Sequence, residues 1–198
     1  MKKSSYFGDA EFDEAYFTGK LKAGYKGGYD KKKLEKDFDC YTHFTEDAKY
    51  IKDLGIDSYL EIGCACGYLM EELLKLGVKV KGWDISKFIV EKASPVIRPF
   101  IEIKSIDEIS LLPDKSFDLV HVSSVLGYMR EEKLDYYLSQ LDRIAKKYVI
   151  VYAGTPDEDD MPAENSIRLI NRPDDWWNRK FVEYFKAYDL KNCVWKAR

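Results

Sequence analysis

The sequence predicts an α/β fold with a mostly parallel sheet of six or seven strands and helices on both faces. Apolar strand-like segments alternate with helical segments between residues 56 and 153, the order that gives parallel strands joined by right-handed crossovers. Residues 148–153 (YVIVYA) are β-branched and almost uniformly apolar, as in a central parallel strand. A glycine-containing turn after the first strand lies where open α/β sheets bind ligands.

Length and composition favour a single domain and exclude several kinds of partner. The chain has 198 residues, of which 45% are hydrophobic and 34% charged, enough for one buried core. A net charge of −3 gives no electrostatic reason to expect nucleic acid or an anionic membrane. No apolar segment approaches the ~18 residues of a membrane span, and no signal peptide is recognisable. We therefore expect a cytoplasmic monomer or homodimer whose four cysteines are reduced.

The N-terminal residues 1–55 differ in composition from the rest of the chain. They begin with a segment rich in Tyr, Phe, Gly and Lys, in which Gly27-Gly28 is typical of a turn. From Lys33 to Leu54, apolar residues recur at helical spacings, which predicts one continuous helix. Gly55 is a suitable C-terminal stop for that helix.

The core segment, residues 56–153, contains the alternating elements. The predicted strands are SYLEI (58–62), VKVKGWD (78–84), FIEI (100–103), FDLVHVSSV (117–125) and YVIVYA (148–153). Helices are predicted through Leu69–Leu76, over residues 86–93 with Ser86 as N-cap, and over 131–147.

The C-terminal segment, residues 154–198, begins with an acidic loop (154–165). Pro173 is placed to open a helix within residues 172–188, and 192–197 form a last short strand. Only one clear strand follows that helix. We therefore predict a sheet of six strands, or a seventh strand formed by residues 166–170 (SIRLI).

The turn after the first strand reads Glu61-x-Gly63-x-Ala65-x-Gly67 and leads directly into a helix. Small residues let a ligand approach the backbone, and a helix N-terminus offers unpaired N–H groups to a carboxylate or phosphate. Asp84, 17 residues after Gly67, ends the second strand and can accept both hydroxyls of a ribose. Two kinds of nucleoside cofactor use such a site: dinucleotides and S-adenosylmethionine.

The glycine spacing separates these two cofactors. A dinucleotide site requires Gly-x-Gly-x-x-Gly. Counted from Gly63, the third glycine of that pattern is replaced by Tyr68, whose bulk opposes close packing on a pyrophosphate. The spacing therefore favours S-adenosylmethionine, and a dinucleotide-dependent oxidoreductase remains the alternative.

Four motifs in order resemble those of class I S-adenosylmethionine-dependent methyltransferases, which have a Rossmann-like fold. They are LEIGCACG (60–67), VKGWDIS (80–86), EIKSIDEI (102–109) and LPDKSFDLVHVSSVL (112–126). The resemblance extends from about residue 54 to 153. It implies an enzyme that transfers a methyl group from S-adenosylmethionine to an acceptor, leaving S-adenosylhomocysteine.

The resemblance also implies roles for individual residues. Asp84 would bind the ribose hydroxyls, with Ile85 against the adenine and Ser123 beside the methionyl group. Ser105 stands where many relatives carry an acid. Ala65 replaces the usual middle glycine and is small enough to be tolerated there if its φ is negative. The predicted cofactor-binding residues are Glu61, Gly63, Cys64, Ala65, Gly67, Asp84, Ile85, Ser105, Ile106 and Ser123.

The acceptor side is less defined by the sequence. The segment Arg168-x-x-x-Arg172-Pro173 ahead of paired tryptophans resembles a feature of methyltransferases associated with polysaccharide and glycoconjugate genes, which implies a small-molecule or sugar acceptor. A helix that buries a tryptophan in the core is the alternative interpretation. Residues 25–29 are either a surface turn or a lid that excludes water from the site. The predicted substrate-side residues are Tyr25, Tyr29, Tyr128, Arg168 and Arg172.

No catalytic residue and no metal site are assigned. Glu164, Tyr29 and Tyr128 are candidates for a base if one is needed, and His121 is interpreted as a core histidine. Cys40-x-x-His43 with Cys64-x-Cys66 offers zinc ligands, but a metal there would occupy the cofactor loop. A protein that binds a nucleoside without catalysis remains a further alternative.

Overall fold

The computed structural model describes residues 12–20, 28–36, 41–153 and 167–198. These residues form a seven-stranded sheet in the order β3-β2-β1-β4-β5-β7-β6. Strands β1 to β5 are parallel to one another, and β7 is antiparallel to both β5 and β6. The strands are β1 Ser58–Ile62, β2 Lys79–Asp84, β3 Ile101–Ile103, β4 Phe117–Ser123, β5 Ala145–Tyr152, β6 Lys186–Asp189 and β7 Val194–Lys196. The predicted fold class is confirmed.

Helices cover both faces of this sheet. The α-helices are α1 Glu14–Phe17, α2 Lys31–Leu34, α3 Phe44–Asp53, α4 Tyr68–Lys75, α5 Lys87–Val90, α6 Leu134–Ile144 and α7 Asp174–Tyr184. Short 3-10 helices span Arg98–Phe100, Ile106–Leu111, Leu126–Tyr128, Glu131–Lys133 and Leu190–Asn192. Buried side chains of α1 to α5 form one apolar cluster, and those of α6 and α7 form another. Each face of the sheet therefore has its own core.

The predicted continuous helix from Lys33 to Leu54 is wrong. α2 ends at Leu34 and α3 begins at Phe44. Between them, Tyr41 has a φ of 63°, a left-handed conformation that a right-handed helix cannot contain. The helix predicted over 86–93 is also shorter, although Ser86 is its N-cap and accepts a hydrogen bond from the Ile89 N–H at 3.4 Å.

The seventh strand comes from a different segment than the one predicted. Of residues 166–170, those that the structure describes form no strand, because the N–H groups of Leu169 and Ile170 both donate to the Gly127 carbonyl at 2.9 Å. The helix predicted to run to residue 188 ends at Tyr184 instead. Phe185 then takes an extended conformation and is buried, and β6 begins at the next residue.

The tryptophan pair divides between core and surface. Trp177 is buried among the side chains of the α6–α7 face, with its ring 5.7 Å from that of Phe181. Trp176 is half-buried, and the Arg172 guanidinium lies 5.4 Å from its ring centre. The burial of Trp177 agrees with the alternative in which the C-terminal helix completes the core.

Asp118 joins the starts of the two central strands. Its Oδ2 accepts hydrogen bonds from the N–H groups of Asp57 and Ser58 at 2.9 and 3.1 Å, and its own N–H donates to Ser58 Oγ at 2.8 Å. Burial alone raises the pKa of Asp118, but these N–H groups and the ammonium groups of Lys146 and Lys147 outweigh it and lower that pKa. The carboxylate is therefore ionised in the folded protein at neutral pH.

Replacing Asp118 by Ala is expected to lower the free energy of unfolding at pH 7 by about 1–3 kcal/mol, since buried N–H donors lose their acceptor. Because the pKa of Asp118 is lower in the folded state, its ionic contribution is present above the unfolded pKa and is lost as the pH falls through the folded value. Urea unfolding at pH 7 and about pH 3 measures both effects.

The matched control is Asp57→Ala, which removes a carboxylate whose side chain is 84% exposed. That variant should differ from the wild type by no more than about 0.5 kcal/mol. Equal losses in the two variants would contradict the structural role of Asp118.

Candidate active site

The loop Gly63–Gly67 connects β1 to α4 at the carboxyl edge of the sheet. The N–H groups of Gly63 and Cys64 donate to the Trp83 carbonyl of β2 at 2.7 and 3.1 Å. Gly63 has a φ of 80°, and a Cβ there would lie 2.3 Å from a methyl carbon of Val125. Glycine is therefore required for both backbone conformation and packing, while Gly63 itself stays exposed at the surface of the site.

Ala65 departs from the expected backbone conformation. Its φ is 48°, so the negative φ under which alanine is readily tolerated here does not occur. The physical reason is the hydrogen bond from its N–H to Asp84 Oδ2, 2.8 Å long, which turns the peptide toward β2. A left-handed residue other than glycine costs about 1–2 kcal/mol.

Asp84 ends β2 and is buried beside the loop. Its Oδ2 accepts from Ala65, and its Oδ1 accepts from the Ser86 N–H at 2.8 Å. Burial raises the pKa of Asp84 to about 6, an effect that the hydrogen bonds from Ser86, Ala65 and Ile85 oppose. Since each carboxylate oxygen has two lone pairs, Asp84 can still accept hydrogen bonds from a ligand's hydroxyl groups.

Glu61 lies at the end of β1, on the same side of the strand as Tyr59. Its Oε2 is buried and has no hydrogen-bond partner among the residues described. Burial raises the pKa of Glu61 to about 8, a hydrogen bond from Tyr59 lowers it, and the nearby Asp84 raises it. An unsatisfied buried acceptor of this kind is costly, and it indicates a place where a ligand donor fits.

The residues predicted to face the adenine lie after β2 and β3. Ile85 is half-buried and Ile106 is buried. The Ser105 side chain accepts from the Asp107 N–H at 3.1 Å, and the Glu108 carboxylate accepts from the Ser105 N–H at 3.3 Å. Ser105 thus forms a capping box for the 3-10 helix that follows, a role the sequence analysis missed although the Ser-x-x-Glu pattern signals it.

Two of the predicted substrate-side residues meet at the carboxyl ends of β4 and β5. The Arg168 guanidinium lies 5.3 Å from the Tyr128 ring centre, and its Nη1 donates to the Ala153 carbonyl at 2.7 Å. Ser123 is half-buried at the end of β4. Arg172 is placed differently, because it donates to both carboxylate oxygens of the exposed Glu131 at 3.1 and 3.2 Å.

The N-terminal segment contacts both sides of this region. Tyr29 stacks on Tyr68 of α4 with ring centres 5.9 Å apart. The Tyr16 hydroxyl lies 3.0 Å from the Tyr128 hydroxyl, and Ser86 Oγ donates to the Phe12 carbonyl at 2.5 Å. Sequence reasoning missed Phe12 and Tyr16, for which the aromatic-rich composition was the only available signal.

Some predicted residues lie outside the part of the chain that the structure describes, namely Tyr25, Cys40 and Glu164. Cys64 and Cys66 are buried free thiols, and burial raises the pKa of Cys66 to about 11, which makes it unreactive at neutral pH. Within the described ranges, no group of three or more His, Cys, Asp or Glu side chains could hold a metal ion. None of the described helices has the length and apolar character needed to cross a membrane.

Comparisons with known proteins agree with this architecture. Residues 60–147 match a family model described as a methyltransferase domain. A solved S-adenosylmethionine-dependent methyltransferase from Archaeoglobus fulgidus has a TM-score of 0.58 and 20% identity, covering 78% of this chain and 73% of that one. Magnesium protoporphyrin IX methyltransferase from Synechocystis PCC 6803, solved with bound S-adenosylmethionine, has a TM-score of 0.55 and 15% identity, covering 93% and 89%.

A relative in sequence is the probable pectin methylesterase CGR2 of Arabidopsis thaliana, which is 26% identical over 164 residues. The match covers 76% of this chain and 62% of that protein, so the chain spans less than two thirds of the relative's length. Residues 60–147 are thus similar to a methyltransferase domain, and the ordered motifs and the sheet order agree with that similarity. The resemblance seen in the sequence is confirmed at this level.

Replacing Ala65 by Gly is expected to raise the free energy of unfolding by about 0.5–1 kcal/mol. Glycine removes the strain of the left-handed conformation in the folded state, and this gain exceeds the stabilisation of the unfolded chain by its added conformational entropy. Thermal or urea unfolding measures the change. Ala48→Gly in α3 is the opposite-sign control, with an expected loss of about 1 kcal/mol or more. A similar loss in both variants would contradict the strain at residue 65.

Proposed function

We propose that the chain binds S-adenosylmethionine at the Gly63–Gly67 loop and transfers its methyl group to a small-molecule or sugar acceptor. The fold, the methyltransferase family model and the structural relative with bound S-adenosylmethionine support this proposal. When bound, the cofactor supplies a methyl group already activated on a sulfonium. The protein's task is then positioning and exclusion of water, which agrees with the lack of an assigned catalytic base.

The observation that carries the proposal is the charge of the site. Two carboxyl groups flank the loop, Asp84, which is buried, and Glu61, whose Oε2 is buried. Among the residues described, neither forms an ion pair with a lysine or arginine; the imidazole of His121 lies 3.9 Å from Glu61, and Asp84 is close enough to raise the pKa of Glu61. Carboxyl groups here favour a ligand with positive charge, as S-adenosylmethionine has, and oppose the anionic pyrophosphate of a dinucleotide.

The residues of the site suit the parts of that cofactor. Glu61 offers an unpaired carboxyl oxygen to the amino group of the methionyl part. The N–H groups at the start of α4 can donate hydrogen bonds to the carboxylate of the same part. Asp84 has lone pairs for the ribose hydroxyls. Ile85 and Ile106 provide apolar surface for the adenine.

The acceptor is proposed to bind beside Tyr128 and Arg168, at the carboxyl ends of β4 and β5. The N-terminal segment, including Phe12 and Tyr16, would close this side as a lid, since it contacts Tyr128 and Ser86. The name of the Arabidopsis relative refers to pectin, which supports a polysaccharide or sugar acceptor. That name describes a methylesterase, so methyl removal is a competing activity that the experiments must separate.

Binding is tested by thermal unfolding and calorimetry with S-adenosylmethionine, S-adenosylhomocysteine and NAD. A ligand at a hundred times its Kd stabilises by about 2.7 kcal/mol, so both adenosyl ligands should raise Tm by several degrees and NAD should not. Asp84→Asn should weaken S-adenosylhomocysteine binding about 10- to 100-fold, because the ribose loses a charged acceptor.

Asp114→Asn is the control, since that side chain is 76% exposed and its replacement should leave affinity unchanged. Stabilisation by NAD alone would contradict the proposed function. An unchanged affinity in Asp84→Asn would contradict only the ribose assignment.

The acceptor is tested with methyl-labelled S-adenosylmethionine on a panel of small molecules and of neutral and uronic-acid oligosaccharides, with methanol release from a methyl-esterified pectin measured in parallel. Label should enter a sugar or small-molecule acceptor. With that acceptor, Tyr128→Phe should lower kcat/KM about tenfold and leave S-adenosylhomocysteine affinity unchanged. Tyr136→Phe, on an exposed side chain, is the control. Methanol release without methyl uptake would contradict methyl transfer.

A further inference from the structure

A row of three polar side chains lies buried beneath the cofactor loop. Glu61 of β1 and His121 of β4 are direct partners in the parallel register of the two strands, and His121 Nδ1 lies 3.9 Å from Glu61 Oε1. The Tyr59 hydroxyl lies 2.6 Å from the same Nδ1. The His121 side chain is 1% exposed and that of Glu61 is 12% exposed, so water screens this row poorly.

The row contains two buried atoms without a hydrogen-bond partner among the residues described, Glu61 Oε2 and His121 Nε2. Native proteins rarely leave such atoms unsatisfied. Burial lowers the pKa of His121 to about 3, so the imidazole is neutral and supplies no positive charge to Glu61. Glu61 therefore has no counter-ion among the described residues. Burial raises its pKa to about 8, so it is protonated at pH 7.

The hydrogen bonds of the row are directed toward Glu61. Tyr59 has one hydroxyl proton, and its hydrogen bond to Glu61 lowers the pKa of that carboxyl, which is the effect of a donor on a carboxylate. The Tyr59 oxygen is then free to accept a proton from His121 Nδ1. This arrangement requires the Nδ1–H tautomer of the histidine. Donors arranged in this way favour an ionised Glu61, although no cation faces that charge from the part of the chain that the structure describes.

We propose that Glu61 gives up its proton when the cationic end of the cofactor binds, and that Tyr59 and His121 are positioning residues that hold its carboxylate for that charge. This inference rests on the proposed function. The proton passes from the carboxyl to solvent, the ligand's ammonium group keeps its own, and no bond other than the O–H is broken. Ligand binding is thereby coupled to the release of one proton.

Other titratable groups around Glu61 do not account for such a release. Asp84, with a pKa of about 6, is already ionised at pH 7. Burial raises the pKa values of Tyr59 and Cys64 well above their usual range, and that of Cys66 to about 11. The groups that face the row from the packed elements are Tyr41, Tyr59, Cys64, Cys66, Asp84 and His121.

The sign of the pH dependence follows from the raised pKa. Protonated Glu61 must lose a proton for the charged contact to form, so the affinity for S-adenosylhomocysteine should rise between pH 6 and 8 and level off above the pKa of the free site. 5′-Methylthioadenosine contains the same adenosine and thioether but has no amino-acid group. The pH dependence of its affinity should reflect the ionisation of Asp84 alone, so the affinity should stay constant above pH 7.

The experiment is calorimetry at pH 7.0 in phosphate and in Tris, buffers with different ionisation enthalpies. S-adenosylhomocysteine should release about one proton per site, given the pKa of about 8, and 5′-methylthioadenosine should release none. Glu61→Gln should abolish the release and weaken S-adenosylhomocysteine about 10- to 100-fold. Glu132→Gln, on a side chain that is 69% exposed, is the matched control and should behave as the wild type.

The positioning role is tested with Tyr59→Phe, which removes the donor to Glu61 and keeps the ring. The midpoint of its affinity–pH profile should move to higher pH, whereas a merely structural effect would lower the affinity equally at all pH values. Thermal unfolding confirms that each variant is folded.

The outcomes separate this inference from the proposed function. Tight S-adenosylhomocysteine binding without proton release, an unchanged release in Glu61→Gln, or an unmoved midpoint in Tyr59→Phe would overturn the inference and leave the proposed function intact. Failure of both adenosyl ligands to bind would overturn the proposed function and the inference with it.

Discussion

The hydrogen bond from the Ala65 N–H to Asp84 Oδ2, 2.8 Å long, is the interaction on which the geometry of the site depends. It joins the loop after β1 to the end of β2, and the Trp83 carbonyl reinforces this connection by accepting from Gly63 and Cys64. The interaction requires a left-handed residue 65, so the loop stores strain that the surrounding sheet compensates. Because α4 begins at the end of this loop, the same interaction also sets where its N-terminal N–H groups point.

The electrostatics of the site follow from the same arrangement. Bringing the loop against β2 places Asp84 and Glu61 in one poorly hydrated region, where burial raises the pKa of both. Such a site is costly for the empty protein, since charged or unsatisfied carboxyl groups are buried without a basic partner among the described residues. A cationic ligand removes that cost on binding, and an anionic ligand increases it. Under the proposed function, the fold would thereby favour a ligand of positive charge before any specific contact is considered.

The sequence predicted the centre of this structure better than its edges. The parallel strands were predicted because buried strands leave an apolar pattern in the sequence. Glu61 and Asp84 were predicted to lie beside the loop because a glycine-containing turn is a local signal. The break before α3 was missed because the apolar spacing continues through Tyr41, whose left-handed conformation leaves no mark in the hydrophobic pattern. β6 was missed because Lys186–Asp189 is an exposed edge strand without an apolar face. The tertiary partners of Phe12 and Tyr16 are more than 70 residues away in sequence, and no local pattern contains them.

Those distant contacts explain how the two halves of the proposed site are connected. Ser86, two residues from Asp84, donates to the Phe12 carbonyl, while the Phe12 ring lies 5.1 Å from that of Tyr128. Tyr16 adds its hydroxyl contact to the same tyrosine. The N-terminal segment is thus held at one point on the ribose side and at another on the acceptor side. Movement of this segment away from the sheet would break both contacts and expose the buried Tyr16 ring to water. Under the proposed function, this single short segment of chain would therefore link entry of the cofactor to assembly of the acceptor pocket.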